Sequence, residues 1–152
     1  MVTRRVAFEC VASGDIRLIV DVFTSANLEM RFVGGCVRDA ILNRSISDID
    51  IATNALPVRV LEILRDADIK AVPTGIDHGT ITAIIDGRRF EITTYRHDVE
   101  TDGRRAVVAF GTDWREDAAR RDFTINSLSI TPDGVLYDPF GGEADLLAGR
   151  IR

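Results

Sequence analysis

A mixed α/β domain is what this 152-residue sequence predicts. Three observations carry the prediction. Apolar residues recur at helical spacing around residues 13–28 and 57–64, whereas short runs rich in β-branched and aromatic residues occupy 30–33, 46–53, 80–85 and 90–95. Two turn signals, Asp86-Gly87 and Pro132-Asp133-Gly134, separate strand candidates at hairpin spacing. With 45% hydrophobic and 28% charged residues, the chain also has the make-up of one globular domain, 1–152, that buries a real core.

Taken in order, Ile16, Ile19, Val20 and Phe23 form one face of a helix over 13–28, behind a Ser or Asp cap. Met30-Arg31-Phe32-Val33 is a short strand that runs into Gly34-Gly35, and Val37 to Leu42 reads as a short helix. Ile46 to Thr53 alternates apolar and polar residues, as a strand does. Pro57 suits the first turn of the next helix, whose stripe is Val60, Leu61 and Leu64. A strand follows near Lys70 to Val72. Thr80 to Ile85 and Phe90 to Tyr95 are antiparallel neighbours across Asp86-Gly87. From His97 to about Thr112 periodicity is lost while Asp, Gly and Arg collect, so this stretch reads as a long loop. Asp113 to Arg121 is helical, and Leu128 to Ile130 pairs with Val135 to Tyr137.

No run of about 18 apolar residues is present, so a membrane span is not expected. The first ten residues lack the apolar segment of a secretory signal, and the chain reads as cytoplasmic. Cys10 and Cys36 have no metal-ligand spacing and read as small packing residues. A net charge of −5 argues against a uniformly basic nucleic-acid binder. Local patches are another matter. The basic residues are Arg apart from Lys70, with pairs at 88–89, 104–105 and 120–121, and guanidinium matches phosphate oxygens in planar, bidentate fashion. Solvated surface is the favoured explanation of an isolated Arg pair, so only context can raise any of them.

The sharpest chemistry lies in Ser47-Asp48-Ile49-Asp50-Ile51. Side chains two apart on a strand share a face, so Asp48 and Asp50 project together while Ile49 and Ile51 turn into the core. Adjacent anions repel, and a hard divalent cation with oxygen ligands relieves that repulsion. A solvated edge strand with outward acids fits the same pattern. Glu91, between Phe90 and Ile92, is a candidate third ligand. Three carboxylates on neighbouring strands can hold two Mg²⁺, the arrangement suited to in-line phosphoryl displacement. Pairing of Glu91 with one of the many Arg residues is the alternative.

Gly34-Gly35-Cys36-Val37-Arg38-Asp39, followed by Asp48-Ile49-Asp50, resembles the signature of the DNA polymerase β nucleotidyltransferase superfamily. Two glycines let backbone N–H groups approach a triphosphate, and the helix that starts beside them adds a favourable dipole end. Further motifs follow: Pro73-Thr74-Gly75-Ile76-Asp77-His78-Gly79-Thr80, Glu91-Ile92-Thr93-Thr94-Tyr95-Arg96, Arg120-Arg121-Asp122-Phe123-Thr124-Ile125-Asn126 and Asp138-Pro139-Phe140-Gly141-Gly142 with Asp145-Leu146. In this order they resemble the class II tRNA CCA-adding enzymes and bacterial poly(A) polymerases over roughly residues 30–152.

The resemblance implies a polymerase β-like head, a mixed sheet of about five strands with helices on one side. It implies that Asp48 and Asp50 hold two catalytic Mg²⁺ with Glu91 as third acid, that Gly34, Gly35 and Arg38 cradle the triphosphate, and that Arg120, Arg121, Asp122 and Asn126 contact nucleotide and ribose. The reaction implied is attack of an RNA 3′-hydroxyl, tRNA above all, on the α-phosphate of ATP or CTP. Rival readings are a nucleotide-binding head without catalysis of its own and a nucleotidyltransferase acting on a protein or small molecule.

Three departures from the family pattern stand out. Arg105-Ala106 replaces a usual His-Pro after Asp102-Gly103-Arg104, Asn43 replaces a Gly before Arg44, and Ser127 replaces an Ala, which adds one potential hydrogen bond. Glu116-Asp117-Ala118-Ala119-Arg120 spells the family's base-reading Glu-Asp-x-x-Arg string. In the family that string lies after the Asp-Pro-x-Gly-Gly segment, in a neck domain, so it is not assigned here. The neck, body and tail of the family are expected beyond Arg152.

Overall fold

The computed structural model describes residues 2–5, 14–42, 49–101, 105–121 and 124–149, with the backbone alone at 2–5, 97–101, 105–108 and 125. The sheet strands are β1 (Val2–Arg5), β2 (Met30–Val33), β3 (Ile49–Thr53), β4 (Lys70–Gly75), β5 (Thr80–Ile85), β6 (Arg88–Thr94), β9 (Ser129–Ile130) and β10 (Val135–Asp138). They form one sheet in the order β1-β10-β9-β2-β3-β6-β5-β4. Every neighbouring pair is antiparallel except β3 and β6, which run parallel. The mixed α/β class is as expected, but the sheet has eight strands instead of about five. The additional width comes from the flanks, where β9, β10 and β1 extend one side.

Helices α1 (Gly14–Ser25), α2 (Gly35–Ile41) and α3 (Pro57–Asp66) cover one face. Their buried stripes, Ile16, Ile19 and Phe23 from α1, Cys36 and Val37 from α2, and Val60 and Leu64 from α3, meet Phe32, Ile49, Ile51, Ile81, Phe90, Ile92 and Ile130 of the sheet in one core. Helices α1 and α3 end alike. Asn27 and Asp68 take left-handed φ of 61° and 58°, and the next residue, Leu28 or Ile69, donates its N–H five residues back to Phe23 or Leu64. That is the Schellman closure, with a short polar side chain in the left-handed position and an apolar one after it. Pro57 opens α3 as expected. Cys36 is buried and its Sγ donates to the Val33 carbonyl, a packing role as read from the sequence; Cys10 lies outside the described residues.

The expected loop after His97 is instead a hairpin, β7 (Arg96–Thr101) against β8 (Arg105–Phe110), paired from Arg96↔Phe110 to Thr101↔Arg105. The two strands form their own sheet apart from the main one. Backbone pairing alone defines such a ribbon, so apolar alternation against the main core is not required of its sequence, and periodicity misses it. Asp86 and Gly87, at φ 50° and 81°, close the β5–β6 hairpin with a two-residue turn, as the sequence predicts. Among the described residues no helix is long and apolar enough to cross a membrane.

Candidate functional site

The other face of the sheet carries the candidate chemistry, and strand register decides which residues meet there. Directly opposed residues form a row across five strands: Tyr137, Ser129, Val33, Asp50 and Glu91. Asp50 and Glu91 are therefore neighbours on the parallel pair, about 4.8 Å apart in the pairing direction, with side chains on the same face. Ile49 and Ile51, each 1% exposed, point into the core and lock β3 in that orientation. Asp48 lies outside the described residues.

Asp50 is half-buried and Glu91 is exposed. Among the described residues Glu91 has no Arg within ion-pair distance, which removes the alternative reading of a cross-strand Arg partner within that part of the chain. Two carboxylates fixed side by side on a rigid frame are the oxygen donor set that a hard divalent cation takes, so the residues fit such an ion. No group of three or more His, Cys, Asp or Glu gathers among the described residues.

Gly34 sits against this pair. Its φ of 73° and ψ of −143° belong to glycine, and a Cβ there would lie 2.8 Å from Asp50 Oδ2. The turn thus brings backbone directly up to the carboxylate. Gly35 begins α2, and the exposed Arg38 folds back so that its guanidinium lies near Gly35, where it pairs with Asp39 at 3.4 Å. Gly34, Gly35 and Arg38 are accordingly gathered at one edge of the Asp50–Glu91 row.

The second cluster is built on α4 (Trp114–Ala119) and the one-turn helix Thr124–Ser127. Asp117 is 4% exposed. Its Oδ1 accepts the backbone N–H of Arg96 at 2.8 Å and its Oδ2 accepts Arg121 Nη2 at 3.0 Å. Ser127 Oγ donates to the Ala118 carbonyl at 3.0 Å, which is the hydrogen bond the Ser-for-Ala departure offered. Asn126 is exposed on the same turn, and Asp122 lies outside the described residues.

A family model described as the poly(A) polymerase head domain matches residues 30–152. The chain belongs to the poly(A) polymerase head-domain family. It is 43% identical over 146 residues to human mitochondrial CCA tRNA nucleotidyltransferase 1, covering 95% of this chain and 34% of that protein. It is 46% identical over 136 residues to the CCA-adding enzyme of Oceanobacillus iheyensis, covering 88% of this chain and 33% of the relative. Among solved structures, the Bacillus stearothermophilus CCA-adding enzyme in complex with CTP superposes with a TM-score of 0.76 at 37% identity, covering 90% of this chain and 32% of that one. The chain spans about a third of the length of the curated relatives it matches.

In this head domain, Asp117 takes the guanidinium of Arg121 and the backbone N–H of Arg96, and the Arg96 guanidinium lies close enough to Arg120 and Arg121 to feel their charge. Burial first, and then the neighbouring Arg120, draw the Arg96 guanidinium below its usual range; Asp117 opposes this and Arg121 adds to it. Asp117 is buried and ties α4 to the start of β7.

Sequence reasoning missed a further network on the same face. Arg31, only 7% exposed in the middle of β2, donates Nε to Glu29 Oε1 at 3.2 Å and Nη1 to Ser129 Oγ at 3.2 Å. Its guanidinium lies 3.9 Å from the Trp114 ring centre and 4.3 Å from that of Tyr137. Tyr95 Oη donates to the same Glu29 oxygen at 2.8 Å, and burial, then Glu29, holds its phenol proton well above the usual range. One signal was in the sequence: an arginine between Met30 and Phe32 on a strand whose four residues are all buried.

Proposed function

We propose that this head domain catalyses nucleotidyl transfer to an RNA 3′ end: the 3′-hydroxyl attacks the α-phosphate of ATP or CTP and pyrophosphate leaves. The observation that carries the reading is the Asp50–Glu91 pairing beside Gly34, two acids of one rigid face with a backbone turn pressed against them. Asp48, two residues before Asp50 in the strand pattern, is the third acid of the proposal. These residues would hold Mg²⁺, two ions in the reading made from sequence, which when bound supplies positive charge against the phosphates and favours ionisation of the attacking hydroxyl.

The chain's own groups have separable tasks. Gly34 and Gly35 admit the triphosphate to backbone N–H groups, and Arg38 adds a charged fork at the same edge. Arg120 and Arg121, with Asp122 and Asn126, address the nucleotide and its ribose. None of these groups reads a base, so ATP and CTP are both substrates of the proposal and base choice belongs to segments beyond this domain. The human relative is a CCA tRNA nucleotidyltransferase, which makes tRNA the first acceptor to test.

The test is incorporation of labelled ATP or CTP into a tRNA lacking its 3′ end, with and without Mg²⁺. Asp50→Ala is expected to lower incorporation at least about a hundredfold, ~2.7 kcal/mol in the barrier, with an unchanged melting temperature. Wild-type turnover by that variant overturns the assignment. Glu91→Gln separates the two roles of that residue: a weaker Mg²⁺ dependence at constant stability supports a ligand, and the reverse supports a structural charge.

A further inference from the structure

Arg31 takes no part in the chemistry above, yet it lies within β2, two residues before the Val33 that pairs with Asp50 and so on the same face. A strand position needs no charge there; any apolar residue would pack. Burying a guanidinium is unfavourable unless its donors and faces are all engaged. Here they are engaged in a particular direction. Nε and Nη1 are held by Glu29 and Ser129 within the sheet, while the flat face meets Trp114, the first residue of α4. Tyr137, from β10, closes the same corner: its ring meets Trp114 edge to face at 5.2 Å, with the two ring planes 70° apart.

Helix α4 has only six residues, too few to persist without tertiary ties. Arg31 and Tyr137 grip its first residue, and Asp117 and Ser127 secure its last turn. Arg120 and Arg121 follow immediately. Between the two grips lies a small cavity of about 10 Å³ lined in part by Arg31, Val33, Tyr95, Trp114, Asp117 and Arg121.

We propose that Arg31 is a positioning residue for nucleotide binding: by stacking on Trp114 it sets α4 against the sheet and so fixes the segment that carries Arg120 and Arg121. This rests on the assignment of Arg120 and Arg121 to the nucleotide. A lysine cannot replace it, because an ammonium offers neither the planar fork nor a stacking face. The effect belongs in nucleotide affinity, since the groups so fixed contact the nucleotide before any bond changes.

Trp114 is the sole tryptophan of the chain, so its emission reports the grip directly. The experiment compares Arg31→Lys, Tyr137→Leu and Arg120→Met with the unchanged protein. The readouts are tryptophan emission and acrylamide quenching, melting temperature, and the KM for ATP and kcat in Mg²⁺-dependent incorporation. Arg31→Lys is expected to red-shift the emission, increase quenching and raise KM about tenfold, or ~1.4 kcal/mol, with kcat within about twofold of the original. Tyr137→Leu loosens the same corner without disturbing the buried charge; it is expected to move emission and KM in the same direction, and it decides the matter if Arg31→Lys does not fold. An unmoved KM in the presence of shifted emission overturns the positioning role, and so does a lower melting temperature with neither emission nor KM changed. If Arg120→Met leaves KM unchanged, the nucleotide assignment itself fails and the proposal falls with it; if Arg120→Met raises KM while the two corner variants do not, only the Arg31 proposal falls.

Discussion

Replacing Asp117 by Asn tests the centre of the arginine cluster with little change in shape. The carboxylate side chain is 6% exposed and that of Arg121 is 22% exposed, so solvent screening of the pair is weak. An amide oxygen can still take the Arg96 N–H, now at 2.8 Å, but the charge-assisted bond to Arg121 at 3.0 Å is lost and the Arg96 guanidinium loses the anion that offsets Arg120 and Arg121. A hydrogen bond to a charged group contributes about 1.5–3 kcal/mol. With the added repulsion, Asp117→Asn is expected to destabilise by ~2–4 kcal/mol, overlapping the lower part of the range for breaking a buried pair from one side. For a chain of this size each kcal/mol corresponds to about 2–4 °C in melting temperature. The assay is urea unfolding with an unchanged m-value, repeated with Arg121→Met and with both changes together. Coupling of at least about 1 kcal/mol between the two sites is expected. A loss below about 0.5 kcal/mol for Asp117→Asn, or additive effects in the double variant, would refute the reasoning.

Three further outcomes follow from the geometry. Gly34→Ala forces a side chain into a conformation reserved for glycine, at a cost of about 1–3 kcal/mol, and drives a methyl group against Asp50; both melting temperature and apparent Mg²⁺ affinity are expected to fall, and an unchanged melting curve would contradict the conformation described. Asp138→Ala removes the acceptor for the N–H groups of Gly142 and Glu143, at 2.7 and 3.1 Å, which cap the terminal helix α5 (Gly142–Leu147); a loss of ~1–2 kcal/mol with faster hydrogen exchange confined to that helix is the expected result. Tyr95 keeps its proton in the folded state to higher pH than in the unfolded chain, so its contribution is complete below about pH 10 and is lost as pH rises further, by up to ~1.4 kcal/mol per unit. Unfolding titrations between pH 9 and 11 should show this slope in the original protein and its absence in Tyr95→Phe.

Much of the fold was legible because burial imposes a period. Helix α1 announced itself through Ile16, Ile19, Val20 and Phe23, and β3 through Ile49 and Ile51, all of which lie in the core. The β7–β8 ribbon was not legible, since it is defined by backbone pairing in a sheet separate from the main one. Strand β1 and helix α5 were missed for a related reason: one pairs at the sheet margin with β10, and the other is set by the Asp138 cap more than by an apolar stripe. At the candidate site, motif spacing named Asp50, Glu91 and Gly34, and the register put them side by side. The Arg31 corner joins the adjacent Glu29 to Tyr95, Trp114, Ser129 and Tyr137 from distant parts of the chain. Only the folded backbone unites them.

The single parallel pair, β3 with β6, has a kinetic corollary. Asp50 and Glu91 are joined across an intervening helix and two strands, whereas the β5–β6 hairpin is strictly local. Closing the longer connection carries the larger entropic barrier, so the acids meet only once the global topology is in place. A folding chain therefore spends its early life without the repulsion between them. Mg²⁺ added during refolding should leave the folding arm of a chevron unchanged and slow the unfolding arm, because the ion stabilises an arrangement absent from the transition state.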